Sequence, residues 1–212
     1  MRKIVLIFLL FSFSVVKAQY QEVLSSDRPG QALSANVVGK NVFQIQAGID
    51  FFESTSNFYP GSYFRYGLSE RFELNTGFIL TGNELVNDIE SFTLGARYLL
   101  SKTERKFTSA LQLTHDFGAE NKNTQLSYIL ASAFTDKLSY TINLGLNLSE
   151  SLNLNNAIYI FNLSYALNDK VGVFIEPFGT IYRCSFNVNV DSGVYYLLNN
   201  NFQLDSVIGY ND

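Results

Sequence analysis

Between Leu138 and Leu148 the chain reads LSYTINLGLNL. Leu138, Tyr140, Ile142, Leu144, Leu146 and Leu148 fall on one face of an extended chain, and Ser139, Thr141, Asn143, Gly145 and Asn147 on the other. Successive side chains of a strand point to opposite faces, so a period of two sustained this long predicts a strand. Its length matches the roughly 9–11 residues that a tilted strand needs to cross a bilayer. The pattern recurs. Phe43, Ile45, Ala47, Ile49 and Phe51 alternate with Gln44, Gln46, Gly48 and Asp50, and Phe72, Leu74, Thr76 and Phe78 with Glu73, Asn75 and Gly77. Similar runs occupy 91–100, 187–198 and 202–210. The second face is rich in Gly, Asn, Gln and Ser, which suits a wet lumen better than the solvated side of a soluble sandwich.

The composition supports that reading. Apolar residues make up 47% and charged residues 16%, against about 25% in ordinary soluble domains. No segment offers 18 consecutive apolar residues, so a helical span is not predicted. The chain opens MRKIVLIFLLFSFSVVKAQ, with Arg2 and Lys3, an apolar Ile4–Val16 and a small-residue Val16-Lys17-Ala18. This predicts a signal peptide over 1–18 rather than an anchor helix, since spanning takes about 20 apolar residues. Its removal takes Arg2, Lys3 and Lys17 and no acid, so the 15 basic residues fall to 12 against 19 acidic. A nucleic-acid partner needs a clustered basic surface and is disfavoured. Cys184, the single cysteine, can form no internal disulfide and no cysteine-based metal site.

Five links share one plan: YGLSERFEL (66–74), LLSKTERKFTS (99–109), AFTDKLSYT (133–141), ALNDKVGVF (166–174) and LLNNNFQLD (197–205). Each has an apolar residue, a short polar link containing Ser, Thr or Asn, and an apolar strand start. Alternation on both sides excludes helical repeats of similar period. The other connections, near 54–61, 81–88, 118–123, 149–155 and 183–185, are longer or richer in Gly, Asn and Ser. Tight turns on one side and longer loops on the other describe an outer-membrane barrel, with the tight turns periplasmic. Residues 19–40 show no sustained period and are predicted as a periplasmic N-terminal lead-in, leaving 41–212 for the barrel.

The fold predicted is therefore an all-β, antiparallel, up-and-down transmembrane β-barrel. Eleven strands are predicted, near 41–52, 61–68, 71–80, 89–100, 107–117, 124–134, 138–148, 156–167, 171–181, 186–198 and 202–210. Single-chain bacterial barrels ordinarily have an even number, so twelve strands are expected, with the final one missing from this sequence.

The stretch SSDRPGQALSANVVGKNVFQIQAGIDFF, followed by YFRYGLSERFEL, resembles a family of outer-membrane β-barrel transporters of Gram-negative bacteria, the "meta-pathway of phenol degradation" type. The matching pieces are Asp27-Arg28-Pro29, the Gly-Lys link before FQIQAG, and RYGLSERFEL. QLDSVIGYND is similar to the penultimate strand of that family. The resemblance implies outer-membrane transport, and its label reflects genetic context rather than a particular substrate.

A charged side chain facing lipid at mid-membrane costs roughly 2–4 kcal/mol. Arg65, Glu73 and Arg97 are therefore expected to line the lumen, with Glu176, Asp191, Asp205 and Asp50 joining them by alternation. Two readings stay open: an ion-pair network filling a narrow barrel, and a pore lining that selects solutes. Pro177 predicts a bulge in the ninth strand, which weakens the placement of Glu176. Asp27-Arg28-Pro29 reads as a periplasmic contact, a lumen plug, or a lead-in packed at the barrel base. His115 is the single histidine, in LTHDFG. Lipase-type chemistry would need a serine beside it, and an interfacial side chain is the simpler reading. No GxGxxG, P-loop, HExxH or CxxC motif occurs; no metal site, cofactor or enzymatic activity is predicted. The function predicted is passive, porin-like passage of small hydrophilic or aromatic solutes, with a closed structural barrel as the alternative. The partners implied are outer-membrane lipid and the barrel-assembly machinery.

Overall fold

The computed structural model describes residues 24–28, 30–52, 57–81, 88–101, 107–118 and 122–210. The predicted signal peptide, Pro29 and parts of four connections lie outside the described residues.

The described residues form one antiparallel meander of β1 (Phe43–Phe52), β2 (Asn57–Gly67), β3 (Phe72–Thr81), β4 (Asp88–Leu99), β5 (Phe107–Asp116), β6 (Asn123–Ala133), β7 (Leu138–Ser149), β8 (Leu154–Ala166), β9 (Val171–Tyr182), β10 (Ser185–Phe186), β11 (Asn189–Asn199) and β12 (Phe202–Tyr210). Each long strand pairs with its neighbour in the chain. The two-residue β10 only extends the β9 hairpin, and β9 pairs onward with β11. Eleven long strands are thus joined edge to edge, and among the described residues no pairing joins β1 to β12.

Two sequence expectations need correction. β2 begins at Asn57, inside the stretch assigned to a loop, because Phe51 packs on Phe58 and Phe52 on Tyr59 at centroid distances of 4.9 and 5.4 Å. Pro60 is tolerated there: it pairs with Ile49, and the β2–β3 pairing begins only at Gly61. Pro177 makes no bulge against β11, where it sits opposite Val190 in unbroken register. The ladder to β8 breaks after Ile160–Phe178 and resumes in the same register at Leu163–Ile175, so the missing donor is absorbed on that side.

The tight links show why Ser, Thr or Asn recurs in them. The side-chain oxygens of Ser69, Thr135, Asn168 and Asn199 each accept from the backbone N–H two residues on, at 2.8–3.2 Å. In three of the links two successive N–H groups also converge on one carbonyl: Leu68 and Ser69 on Phe72, Phe134 and Thr135 on Leu138, Leu167 and Asn168 on Val171. The side chain thus supplies a local partner that fixes the turn.

The sheet is apolar outside and polar inside. Ile49 is 67% exposed and Ile208 77%, whereas the two largest fully buried side chains among the described residues are Arg65 and Arg97. That inversion follows from alternation once the outer face meets hydrocarbon instead of water.

Candidate functional site

The inner face is filled by the lead-in. Leu24 N–H donates to Asn200 C=O at the tight-turn end, and the chain returns to that end at Gly39–Asn41, where Asn41 N–H donates to Gly67 C=O at 2.7 Å. Gly39 takes φ 92° there, and a Cβ on Gly67 would lie 1.7 Å from the Gly39 oxygen, so only glycine fits at 67. Between these two points the segment touches much of the wall.

On the side of β2, β3 and β4, four charges meet. Arg65 donates through Nε and Nη2 to Glu73 at 2.8 and 2.9 Å. Arg97 grips Asp27 with Nη1 and Nη2 at 3.1 and 2.8 Å, a two-point fork on a carboxylate. Asp27 also lies 3.6 Å from Arg65, and Glu73 3.7 Å from Arg97, so the four form a closed alternating cluster. Arg65, Glu73 and Arg97 are wholly buried. Their remaining donors are used as well: Arg65 reaches the Ser25 and Asn36 carbonyls, Arg97 reaches Gln112 Oε1 at 2.7 Å, and Val38 N–H donates to Glu73. Burial by itself raises the Asp27 carboxyl pKa. Arg65 and Arg97, with hydrogen bonds from Arg97 and the Ser34 N–H, outweigh it and hold the group below its ordinary 3.8.

Across the lumen, Glu176 on β9 accepts from the Gln31 and Ala32 N–H groups and from Asn162 Nδ2. Asn143 on β7 holds Leu33 from both sides, accepting from its N–H at 2.6 Å and donating to its carbonyl at 3.1 Å. Ala35 and Leu33 pack with Ala110, Ile129 and Ala131 of β5 and β6. Arg28 extends over Gly48 to Asp50 at 3.3 Å, and Gln203 on β12 donates to the Arg28 carbonyl at 3.4 Å.

The structure thus brings Arg65, Glu73, Arg97 and Asp27 into one cluster, and Arg28 with Asp50 into a second. It sets Glu176 and Asp191 directly opposite each other on β9 and β11. Asp205 stands apart, exposed on β12, and accepts from Gln203. Sequence reasoning did not single out Gln44, Gln112, Asn143 or Asn162. Their signal was present, since each is an amide on the polar face of an alternating run. His115 places Nδ1 2.8 Å from Thr124 Oγ1 and its ring edge-on to Phe117 at 4.4 Å. Among the described residues no group of three His, Cys, Asp or Glu side chains could hold a metal ion.

A family model described as "Putative MetA-pathway of phenol degradation" matches residues 26–212, which takes in every strand and nearly all of the lead-in described above. Among solved structures, one titled "KdgM porin" is similar with a TM-score of 0.62 at 13% identity, covering 79% of this chain and 89% of that one. At that identity the likeness speaks for the fold, an antiparallel porin-type barrel sheet. No curated protein sequence matches the chain.

Proposed function

Because the chain belongs to the family described as "Putative MetA-pathway of phenol degradation", we propose that it is an outer-membrane channel for the passive passage of small hydrophilic or aromatic solutes, narrowed by its own lead-in. The observation that carries this reading is the inversion of the sheet: aliphatic and aromatic side chains outside, arginines, carboxylates and amides inside. Such a wall is stable only with lipid on one side and polar contents on the other. The Met1–Ala18 pattern of an export signal supports delivery to that membrane. Insertion would then involve the barrel-assembly machinery.

The lead-in favours a second reading, a closed structural barrel, because its backbone is tied to β1, β7, β9 and β12 at once. Planar-bilayer recordings separate the two. The refolded full chain should give discrete conductance steps, and replacing 25–36 by a Gly/Ser linker of equal length should enlarge them several-fold. Silence from both proteins would overturn the channel reading in favour of the structural one. We read the chain as non-enzymatic, with His115 an interfacial side chain. His115→Ala should leave the recordings unchanged, and a lipase activity abolished by that substitution would contradict this.

A further inference from the structure

We infer that the β9–β11–β12 wall is a cation pathway, in which Asp191 is the position where a small monovalent cation or a primary ammonium group binds. This rests on the channel reading and gives it a substrate class.

Most charges on the inner face are already paired. Three basic side chains serve the lumen among the described residues, and each has a carboxylate: Arg65 with Glu73 at 2.8 Å, Arg97 with Asp27 at 2.8 Å, Arg28 with Asp50 at 3.3 Å. Lys40 is exposed, outside the cluster, before β1. Among the described side chains, the inner-face carboxylates left without a guanidinium are Asp116, Glu176, Asp191 and Asp205. Asp116 is satisfied by the Ser91 hydroxyl and the Gly118 N–H. The other three lie on consecutive strands of the sheet, β9, β11 and β12.

Asp191 differs from its neighbours. Glu176 has the Gln31, Ala32 and Asn162 donors, and Asp205 has Gln203 Nε2 at 3.1 Å. Asp191 is 4% exposed, and its buried Oδ1 has no hydrogen-bond partner. Its partner across β9 is Glu176, a like charge, and its partner across β12 is Gly209, which offers no side chain. Directly opposed like charges on one sheet face destabilise the pair, and a buried carboxylate without a donor adds to the cost. A cation held between the two carboxylates relieves both. No third carboxylate joins them among the described residues, whereas calcium takes six to eight oxygen ligands. The site therefore suits a single positive charge. Its neighbours on β9 and β12 extend the negative field along the wall, which concentrates cations and repels anions.

The test uses the full chain in two arms. Reversal potentials across a KCl gradient at low ionic strength should show several-fold preference for potassium over chloride, falling toward unity in Asp191→Asn combined with Asp205→Asn. Preference for chloride, or a potassium preference that these substitutions leave unmoved, would overturn the inference. The second arm does not need conductance. In a Cys184→Ser background at low ionic strength, Asp205→Cys retains Glu176 and Asp191 on the same wall and sets the new thiol four residues along β12 from Gly209, the partner of Asp191. A cationic methanethiosulfonate reagent should outpace an anionic one by a ratio several-fold above that measured with free 2-mercaptoethanol, and Asp191→Asn should bring the ratio back toward that reference. A silent bilayer together with biased labelling would sink the channel reading and leave the cation site standing. An unbiased labelling ratio would sink the site, whatever the bilayer shows.

Discussion

The two walls that hold the lead-in use opposite means. Toward β2, β3 and β4 the contact is ionic, closed and dry: Arg65, Glu73, Arg97 and Asp27 neutralise one another with no exposed surface on the three strand residues. Toward β9, β11 and β12 the contact is made by backbone N–H groups on Glu176 and a long hydrogen bond from Gln203, and three carboxylates remain without a guanidinium. The same alternating pattern builds both walls. What separates them is where the guanidinium groups stand: Glu73 and Asp27 are compensated by arginines, whereas the equally buried Glu176 has backbone N–H and amide donors. One wall therefore anchors the segment, and on the proposed channel reading the other is the side along which ions and solutes would move.

The largest test of this contrast is Arg97→Met. Removing one member of a buried charge cluster leaves uncompensated charge and costs about 3–5 kcal/mol. Asp27 and Glu73 would both lose a partner. Urea titration of the refolded barrel should show that loss, while Asp205→Asn on the exposed side of the other wall should stay within about 0.5 kcal/mol. Equal losses in the two variants would erase the distinction between anchor and passage.

Acid provides a second, smaller lever, because the anchor ends on a titratable group. The Asp27 carboxyl is held below its ordinary 3.8, so its stabilisation of the lead-in is fully present above that value and disappears as the pH falls through the lower, folded value. Channel records should therefore show a rise in conductance confined to pH below about 3.8. Asp27→Asn should abolish that acid step. A step that survives in the variant would place the acid-sensitive contact elsewhere.

Much of this architecture was legible in the chain. Alternation located six of the eleven long strands, the spacing of the links placed the other five, and LSYTINLGLNL corresponds to β7 within one residue. The Ser, Thr and Asn of the short links were visible as a repeat, and their chemistry is the local N–H contact they make. The path of the lead-in was not legible. Leu33 is fixed by Asn143, and Gln31 and Ala32 by Glu176, at separations of 110 to 145 residues. No local propensity encodes such pairing, so residues 24–40 show no period and yet have a defined course. Pro177 misled for a related reason. Its lost donor matters on one neighbour alone, and sequence does not reveal which of β8 and β11 that is.

The smallest expected effect compares two glutamines, one on β5 bound to the anchor cluster and one on β12 of the other wall. Gln112 on β5 is buried, and its Oε1 accepts from Arg97 Nε at 2.7 Å, a charge-assisted bond inside the anchor. Gln203 on β12 reaches the Arg28 carbonyl at 3.4 Å, near the limit of a hydrogen bond, from a half-buried position. Truncating Gln112 to Ala strands a buried guanidinium donor and should cost about 1–3 kcal/mol. Truncating Gln203 to Ala lets water take its place and should change stability by about 0.5 kcal/mol or less. Two urea curves measure the difference. If Gln203→Ala proved as costly as Gln112→Ala, the lead-in would be anchored equally on both sides, and the contrast between the two walls would fall.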